Sequence, residues 1–384
     1  MIKNEEMKVW RQHIHSYPET AFEEFKTADF IAGRLKEFNV DEIHRNIGQT
    51  GVVAIINGKN TTKQVEPIAL RADMDALHLQ EENSFSHCSK HQGKMHACGH
   101  DGHTAMLLGA AKHLASTRNF SGKVVLIFQP AEENEGGGLA MVEDGLFERF
   151  PVKAVYGMHN WPGIEAGTFA VKSGPVMAAN DRFEIKITGK GGHAAMPHLS
   201  IDPIPVASQI ITNLQTLISR RCDPLESAVI SITQFHAGHT FNVIPEEVYL
   251  AGTLRSFDPE LRERLIKEIE KVIKGCCEAN DTTYDFTFSS GYPATINTEN
   301  EAQKAKQAVL KTVGEKAIIE NFDPSMGSED FSFLLQDNPG AYIWLGNGLA
   351  EGGCMLHNPK YDFNDEILEI GASYWVNLVE QELN

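Results

Sequence analysis

The sequence has no excess of basic residues, which proteins that bind nucleic acids or anionic membranes need, and no long apolar run, which a membrane-spanning protein needs. It has 34 lysine and arginine residues against 52 aspartate and glutamate residues, which gives a formal net charge of -18. Nucleic acids and anionic membranes bind basic patches, so we expect neither as a partner. No apolar run is long enough to span a bilayer, and residues 1–12 lack the apolar core of a signal peptide. These absences predict a cytoplasmic protein.

Cysteine is also scarce, and its spacing fits neither a disulfide framework nor a zinc finger. Only six cysteines occur in 384 residues. Two of them, Cys276 and Cys277, are sequence neighbours and are poorly placed to pair with each other. We therefore expect a reducing compartment, and any metal site must take its ligands from distant parts of the chain.

The order of predicted elements indicates an α/β domain that a smaller unit interrupts. Residues 1–177 alternate helices, one of them predicted at 20–38, with buried strands, which is typical of a largely parallel sheet. Continuous apolar runs predict these strands at 51–56, 67–72, 123–128 and 153–158. Residues 178–293 follow the order strand, helix, strand, strand, helix, strand of a ferredoxin-like unit, and a regular apolar face predicts its second helix at 259–278. Residues 294–384 return to the α/β pattern. We predict a discontinuous catalytic domain, 1–177 with 294–384, and an inserted α+β domain, 178–293.

The densest chemical pattern is the stretch 95–103, which precedes a predicted helix at 104–114. It contains three histidines, an aspartate and Cys98, with two glycines that leave the backbone free to turn. Cys98 and His100 are the candidate metal ligands, because thiolate and imidazole bind transition metals well. The alternative is a polar surface loop that is rich in histidine by chance.

Further polar groups follow predicted strands, and the carboxyl ends of parallel strands meet at one edge of a sheet. These groups are Asp73 with Asp75, Glu132 with Glu133, and His159. One glutamate can bind a metal while the other acts as a base toward a bound water. The aspartates can orient ligands. The alternatives are a solvated acidic loop for the glutamates, strand-end caps for the aspartates, and a hydrogen-bonded core or rim position for His159.

The predicted insertion carries polar residues of its own. His193 follows the glycine-rich turn 189–192 and can stabilise a developing oxyanion. Asn242 fits the same face, and Arg255 can bind a carboxylate through a bidentate pair. Near the end of the chain, His357 is a further loop histidine with either a metal-binding or a purely structural role.

Taken together, these segments resemble the aminoacylase/carboxypeptidase family of co-catalytic metallopeptidases. The similarity is closest to its N-acyl-amino-acid amidohydrolase branch, which includes hippurate hydrolases and indole-acetyl-amino-acid hydrolases. The matching stretches run in family order over nearly the whole chain: 71–77, 96–103, 128–133, 157–162, 191–198, 242–245, 326–331 and 357–363. The branch usually has proline where this sequence has His78, which bears on the rim of the pocket.

The resemblance implies hydrolysis of the amide bond of N-acetyl, N-benzoyl or similar N-acyl amino acids through a metal-activated water. The products are a carboxylate and a free amino acid. A dipeptidase or carboxypeptidase on the same scaffold is the alternative activity. A catalytically silent metal-binding or regulatory module is the alternative from another class, although no predicted ligand or base is missing.

The resemblance also implies a cofactor and an assembly. Two divalent metal ions are expected, with Glu132 as the general base, His193 at the oxyanion, and Asp73 and Asp101 supporting the ligands. The implied ligands are Cys98, His100, Glu133, His159 and His357. The resemblance favours manganese, whereas a thiolate ligand favours a softer ion such as zinc or cobalt, and nickel is also possible. The insertion is expected to form a lid and a homodimer, or a larger homo-oligomer, with His193 acting in its own subunit or in the partner.

Overall fold

The computed structural model describes residues 4–60, 65–133, 135–349 and 355–384, and the chain divides into two compact units. The first unit takes Met1–Gly174, Ile296–Asp323 and Asp330–Asn384, and the second takes Pro175–Thr295 and Pro324–Glu329. The predicted division into a catalytic and an inserted domain stays a prediction. Residues 324–329 group with the second unit. The reason is backbone pairing, since the amide of Ala178 bonds to the carbonyls of Ser325 and Gly327.

The bounds of the regular elements in the described residues are as follows. The α-helices are α1 Asn4–Ser16, α2 Phe25–Glu37, α3 His100–Thr117, α4 Gly137–Glu143, α5 Leu146–Arg149, α6 Pro203–Thr216, α7 Pro259–Glu278, α8 Glu299–Val313, α9 Phe331–Asp337 and α10 Leu368–Glu382. The β-strands are β1 Glu42–Ile47, β2 Gly51–Asn57, β3 Ile68–Asp73, β4 Lys123–Gln129, β5 Ala154–Pro162, β6 Phe169–Ala170, β7 Gly174–Met177, β8 Ala179–Thr188, β9 Gly192–His193, β10 Ala228–Ala237, β11 Val243–Ile244, β12 Glu247–Ser256, β13 Thr283–Ser289, β14 Thr295–Asn297, β15 Ile318–Ile319 and β16 Gly340–Gly348.

The first unit is built on an eight-stranded sheet in the order β1-β2-β4-β3-β5-β16-β6-β15. Its central strands β4, β3, β5 and β16 are parallel, whereas β1 and β2 pair antiparallel. Strand β3 is buried over its whole length and β4 over all but its first residue, which explains why the sequence reads as continuous apolar runs there. The predicted α/β class with a mainly parallel central sheet is confirmed. The carboxyl ends of β3, β4 and β5 therefore lie side by side.

Three predicted boundaries in this unit are wrong, and each error matters for the site. Helix α2 begins at Phe25, because Phe22 has a positive φ of 59° that interrupts the helix predicted from residue 20. Helix α3 begins at His100 and not at residue 104. Strand β5 continues past residue 158 to Pro162, because its parallel pairing with β16 extends that far.

The second unit is a four-stranded antiparallel sheet in the order β10-β12-β8-β13 with α6 and α7 as its helices. Chain order and strand order together give the predicted ferredoxin-like topology. Buried side chains recur every four residues along α7, at Leu261, Leu265, Ile269 and Ile273, which is the stripe that a helix needs to cover a sheet. Asp258 caps its N-terminus by accepting hydrogen bonds from two backbone amides.

Candidate metal centre

The side chains of Cys98, His100, Glu133, His159 and His357 gather at one place in the first unit. The Cys98 Sγ atom lies 3.4 Å from His159 Nε2, and Glu133 Oε1 lies 3.1 Å from His357 Nε2. Among the described residues, the possible ligand atoms lie within 4.8 Å of one another in each of five groups: Cys98, His100 and His159; Cys98, Glu133 and His357; His100, Glu132 and Glu133; Asp73, His100 and His103; and Glu132, Glu329 and Asp330. Because the groups share members, they form one continuous cluster.

The backbone turn at Gly99 explains how the cluster forms. Gly99 has a φ of 101°, and a Cβ atom there would lie 2.2 Å from Asn160 Oδ1, so only glycine fits. The turn lets α3 start at His100, and it places His103 in the first helical turn. His103 Nδ1 lies 2.6 Å from Asp73 Oδ1, and its Nε2 lies 2.7 Å from Asn160 Oδ1.

Two of the imidazoles are oriented by hydrogen bonds on the side away from the cluster. Nδ1 of His100 lies 3.0 Å from the carbonyl of Asp75 and 3.1 Å from its carboxylate. Nδ1 of His159 lies 2.6 Å from the carbonyl of Asn160. Donation at Nδ1 leaves Nε2 of each ring facing the cluster, which is the arrangement typical of metal-binding histidine.

The buried donor set fits a divalent cation. Nε2 of His100 and Oε1 of Glu133 are buried and accept or donate no hydrogen bond within the described residues, although Glu133 is ion-paired with His357. Burial, together with the carboxylates of Glu133 and Glu132, raises the pKa of the Cys98 thiol well above its usual range. A cation at this position would favour the thiolate and would relieve the repulsion among these acids.

The two aspartates predicted to support the ligands have different surroundings. Asp73 accepts from Arg71 at 2.7 Å and from His103. Although burial opposes it, the neighbouring His100, His103 and Arg71 side chains hold the pKa of Asp73 well below its usual range. Asp101 contacts His15 at 2.8 Å and Arg11 at 3.6 Å. Asp101 therefore ties the first turn of α3 to α1.

Asp75 is the aspartate that contacts predicted ligands most directly. It was predicted from the sequence, together with Asp73, as a group that can orient ligands. Its Oδ1 lies beside His100, and its Oδ2 accepts from the backbone amide of Glu133 at 2.9 Å. Sequence reasoning gave no role to His103 or Asn160. Their only signal was position, one inside the histidine-rich stretch and the other next to His159. His78, the departure from the family pattern, is exposed.

The second unit brings together two of its three predicted site residues. Strands β9 and β11 pair His193 with Val243, and the amide of Ala194 bonds to the carbonyl of Asn242 at 3.1 Å. His193 and Asn242 are both exposed. Arg255 lies on β12, is partly buried, and donates a 2.7 Å hydrogen bond to the carbonyl of Met326. Burial lowers its pKa from the ordinary value.

Comparisons with known proteins show which family the chain belongs to. Residues 69–381 match the model of peptidase family M20/M25/M40. Hippurate hydrolase of Campylobacter jejuni is 44% identical over 368 residues, which cover 96% of this chain and 94% of that protein. N-acyl-L-amino acid amidohydrolase of Geobacillus stearothermophilus is 47% identical over 290 residues, or 75% of this chain and 77% of that protein.

A solved structure gives the same result. The YXEP protein of Bacillus subtilis, described as a dinuclear metal binding peptidase from the M20 family, has a TM-score of 0.87 and 34% identity, with 99% of this chain and 98% of that chain covered. Among the described residues, no helix has the length and apolar character that crossing a membrane requires. The chain belongs to peptidase family M20/M25/M40 and is a hydrolase of amide bonds.

Proposed function

We propose that this enzyme hydrolyses N-acyl amino acids to a carboxylate and a free amino acid with the help of two divalent metal ions. The observation that carries the proposal is the single cluster in which a thiol, imidazoles and two adjacent glutamates converge. The resemblance to hippurate hydrolase and N-acyl-L-amino acid amidohydrolase supports the substrate class.

The ligands that we assign to the two metals are Cys98, His100, Glu133, His159 and His357. Two observations support two ions rather than one. The cluster offers five overlapping groups of possible ligands, in which Cys98 and Glu133 each belong to two groups and His100 to three, and the chain is similar to a dinuclear metal binding peptidase. We favour manganese, with zinc, cobalt or nickel as alternatives. When bound, the metals supply Lewis-acid polarisation of the amide carbonyl and lower the pKa of a water ligand.

We assign the proton transfers to Glu132. Its side chain is only 6% exposed, and its carboxylate lies in one group with His100 and Glu133. In this position the carboxylate takes a proton from the attacking water and delivers it to the leaving nitrogen, as a general base and then a general acid. We assign metal binding to Glu133, the next residue. Its backbone amide donates a hydrogen bond to Asp75, which fixes its position beside the other ligands.

The second unit supplies the remaining proposed contacts. We propose that His193, in its own subunit or in a partner, stabilises the oxyanion. We also propose that Asn242 and Arg255 bind the substrate. A guanidinium has five N–H donors, so the bond from Arg255 to Met326 leaves others for the substrate carboxylate. We also propose that this unit acts as a lid and forms a homodimer or a larger homo-oligomer. The unpaired thiols of the described cysteines support a cytoplasmic location.

A substrate panel tests the proposed activity. The Mn²⁺-loaded protein is assayed against N-benzoyl and N-acetyl amino acids beside dipeptides with a free amino terminus. We expect the higher kcat/KM on N-acyl amino acids, because the chain is similar to hippurate hydrolase and to N-acyl-L-amino acid amidohydrolase over most of its length. Faster cleavage of the dipeptides would replace the proposal with the dipeptidase alternative, and no cleavage of either set by a metal-loaded protein would contradict both.

A further inference from the structure

The loop that carries Glu132 is held on both sides by buried carboxylates from elsewhere in the chain. The backbone amide of Glu133 donates to Asp75, and the amide of Ala131 donates to Oε1 of Glu24 at 2.9 Å. The other oxygen of Glu24 accepts from the Thr50 hydroxyl at 2.6 Å. Glu24 has no solvent exposure, so both of its oxygens are committed to protein donors.

The hydrogen bond from Glu24 falls where the backbone needs support. Ala131 has a φ of 53°, in the left-handed region that residues with a Cβ atom rarely adopt. Such a conformation persists when surrounding contacts hold it, and it is common at functional sites. The carbonyl of Ala131 is also bonded, to the amide of Gly137 at 2.9 Å. The residue directly before the proposed base is therefore fixed through both of its backbone polar groups.

A carboxyl group is an unfavourable choice for a purely structural contact at this position. Burial, together with the negative charge of Asp75, raises the pKa of Glu24 to about 7. An uncharged acceptor would avoid the free-energy cost of moving a carboxylate out of water. A buried acid beside a catalytic loop is more typical of a residue that serves the site than of one that serves the core.

We propose that Glu24 is a positioning residue that fixes the backbone of Ala131 and thereby presents the Glu132 carboxylate to the reacting water. The inference rests on the proposed role of Glu132. It gives a function to Glu24, which the sequence placed inside the helix predicted at 20–38 and to which it gave no role. Glu24 lies immediately before α2, and the two hydrogen-bond partners of its carboxylate, Ala131 and Thr50, are not residues that we assign to a metal.

Glu19, in the same segment, provides a matched control. Its carboxylate is also buried, at 9% exposure, and accepts from the backbone amide and hydroxyl of Thr27 at 2.8 and 3.0 Å. Those bonds cap the first turn of α2. Glu19→Ala therefore removes a buried carboxylate of the same kind without removing the bond to Ala131.

The test compares Glu24→Ala, Glu24→Gln and Glu19→Ala in the metal-loaded enzyme. Glu24→Ala should lower kcat by roughly 100-fold, the scale expected when a reacting group is displaced by about 1 Å, while KM and metal content stay the same. Glu24→Gln should keep most of kcat, because its amide oxygen can accept from Ala131 while its NH₂ group donates to the Thr50 hydroxyl. Glu19→Ala should keep kcat and lose only thermal stability.

Hydrogen–deuterium exchange provides a readout that does not depend on turnover. The peptide that spans Ala131 should exchange faster in Glu24→Ala and should be unchanged in Glu24→Gln and Glu19→Ala. The proposal is overturned by normal kcat and normal exchange in Glu24→Ala, or by equal losses of kcat in the two alanine variants. If Glu132→Gln remains active, the proposed role of Glu132 as the base is wrong. If Glu132→Gln is inactive but Glu24→Ala is active, only the positioning role of Glu24 is contradicted.

Discussion

Glu132→Gln should lower kcat by at least ~100-fold, the contribution typical of a general base, while both metals remain bound. The amide is close to the carboxylate in size, so the loop between Ala131 and Glu133 should keep its conformation. What the variant loses is the ability to take a proton from water. Metal analysis of the purified variant beside steady-state kinetics measures both effects on one sample.

Glu133→Gln is the matched control for that result, because it makes the same chemical change one residue away. Its side chain belongs to two of the five ligand groups, with Cys98 and His357 in one and with His100 and Glu132 in the other. We expect the metal content per chain to fall, since an amide is a much weaker ligand than a carboxylate. If Glu132→Gln loses metal while Glu133→Gln retains it, the two roles are reversed.

His193→Ala should fold, bind two metals and lose most of its kcat. Attack of water on the amide places negative charge on the carbonyl oxygen, and the loss of one donor to such an oxyanion costs about 3 kcal/mol, which corresponds to roughly 100-fold in rate. His193 is exposed on β9, where its Nδ1 accepts from the amide of Ala195 at 3.1 Å. That bond leaves Nε2 to carry the proton that an oxyanion requires. A near-normal kcat would reduce His193 to a turn residue.

Subunit mixing tests whether His193 acts within its own chain or across a dimer. Glu132→Gln and His193→Ala are each expected to be inactive, and they are combined under conditions that exchange subunits. If His193 acts in the partner, a mixed dimer contains one complete site, and part of the activity should return. Two variants that both dimerise, exchange subunits and never complement would place His193 in its own subunit. The mass of the purified protein in solution tests the dimer itself.

Much of the first unit could be predicted from the sequence because its signals are local. Continuous apolar runs identified β2, β3 and β4, and the acidic groups that follow β3 and β4 indicated which edge of the sheet carries the chemistry. The parallel pairing of β4, β3 and β5 then brings Asp73, Glu132 and His159 to that edge. The helix of the second unit at Pro259–Glu278 was predicted to the residue from its regular apolar face.

The contacts that hold the ligands could not be predicted, because they join residues far apart in the chain. The bond of Glu24 to Ala131 spans 107 positions, and nothing near Glu24 in the sequence indicates it. The start of α3 was placed too late because the left-handed turn at Gly99 is a property of its contact with Asn160. Asp101 was predicted to support the metal ligands, and its contacts with Arg11 and His15 became visible only in the fold.

The most direct test of a two-metal amidohydrolase is a titration of the chelated protein with Mn²⁺, followed by hydrolysis of N-benzoylglycine. The apoprotein should be inactive, and the rate should rise to a plateau at two equivalents of metal per chain, as measured by elemental analysis of the gel-filtered protein. A chelated protein that retains full activity, or a plateau reached at one equivalent with no second ion bound, would contradict the account.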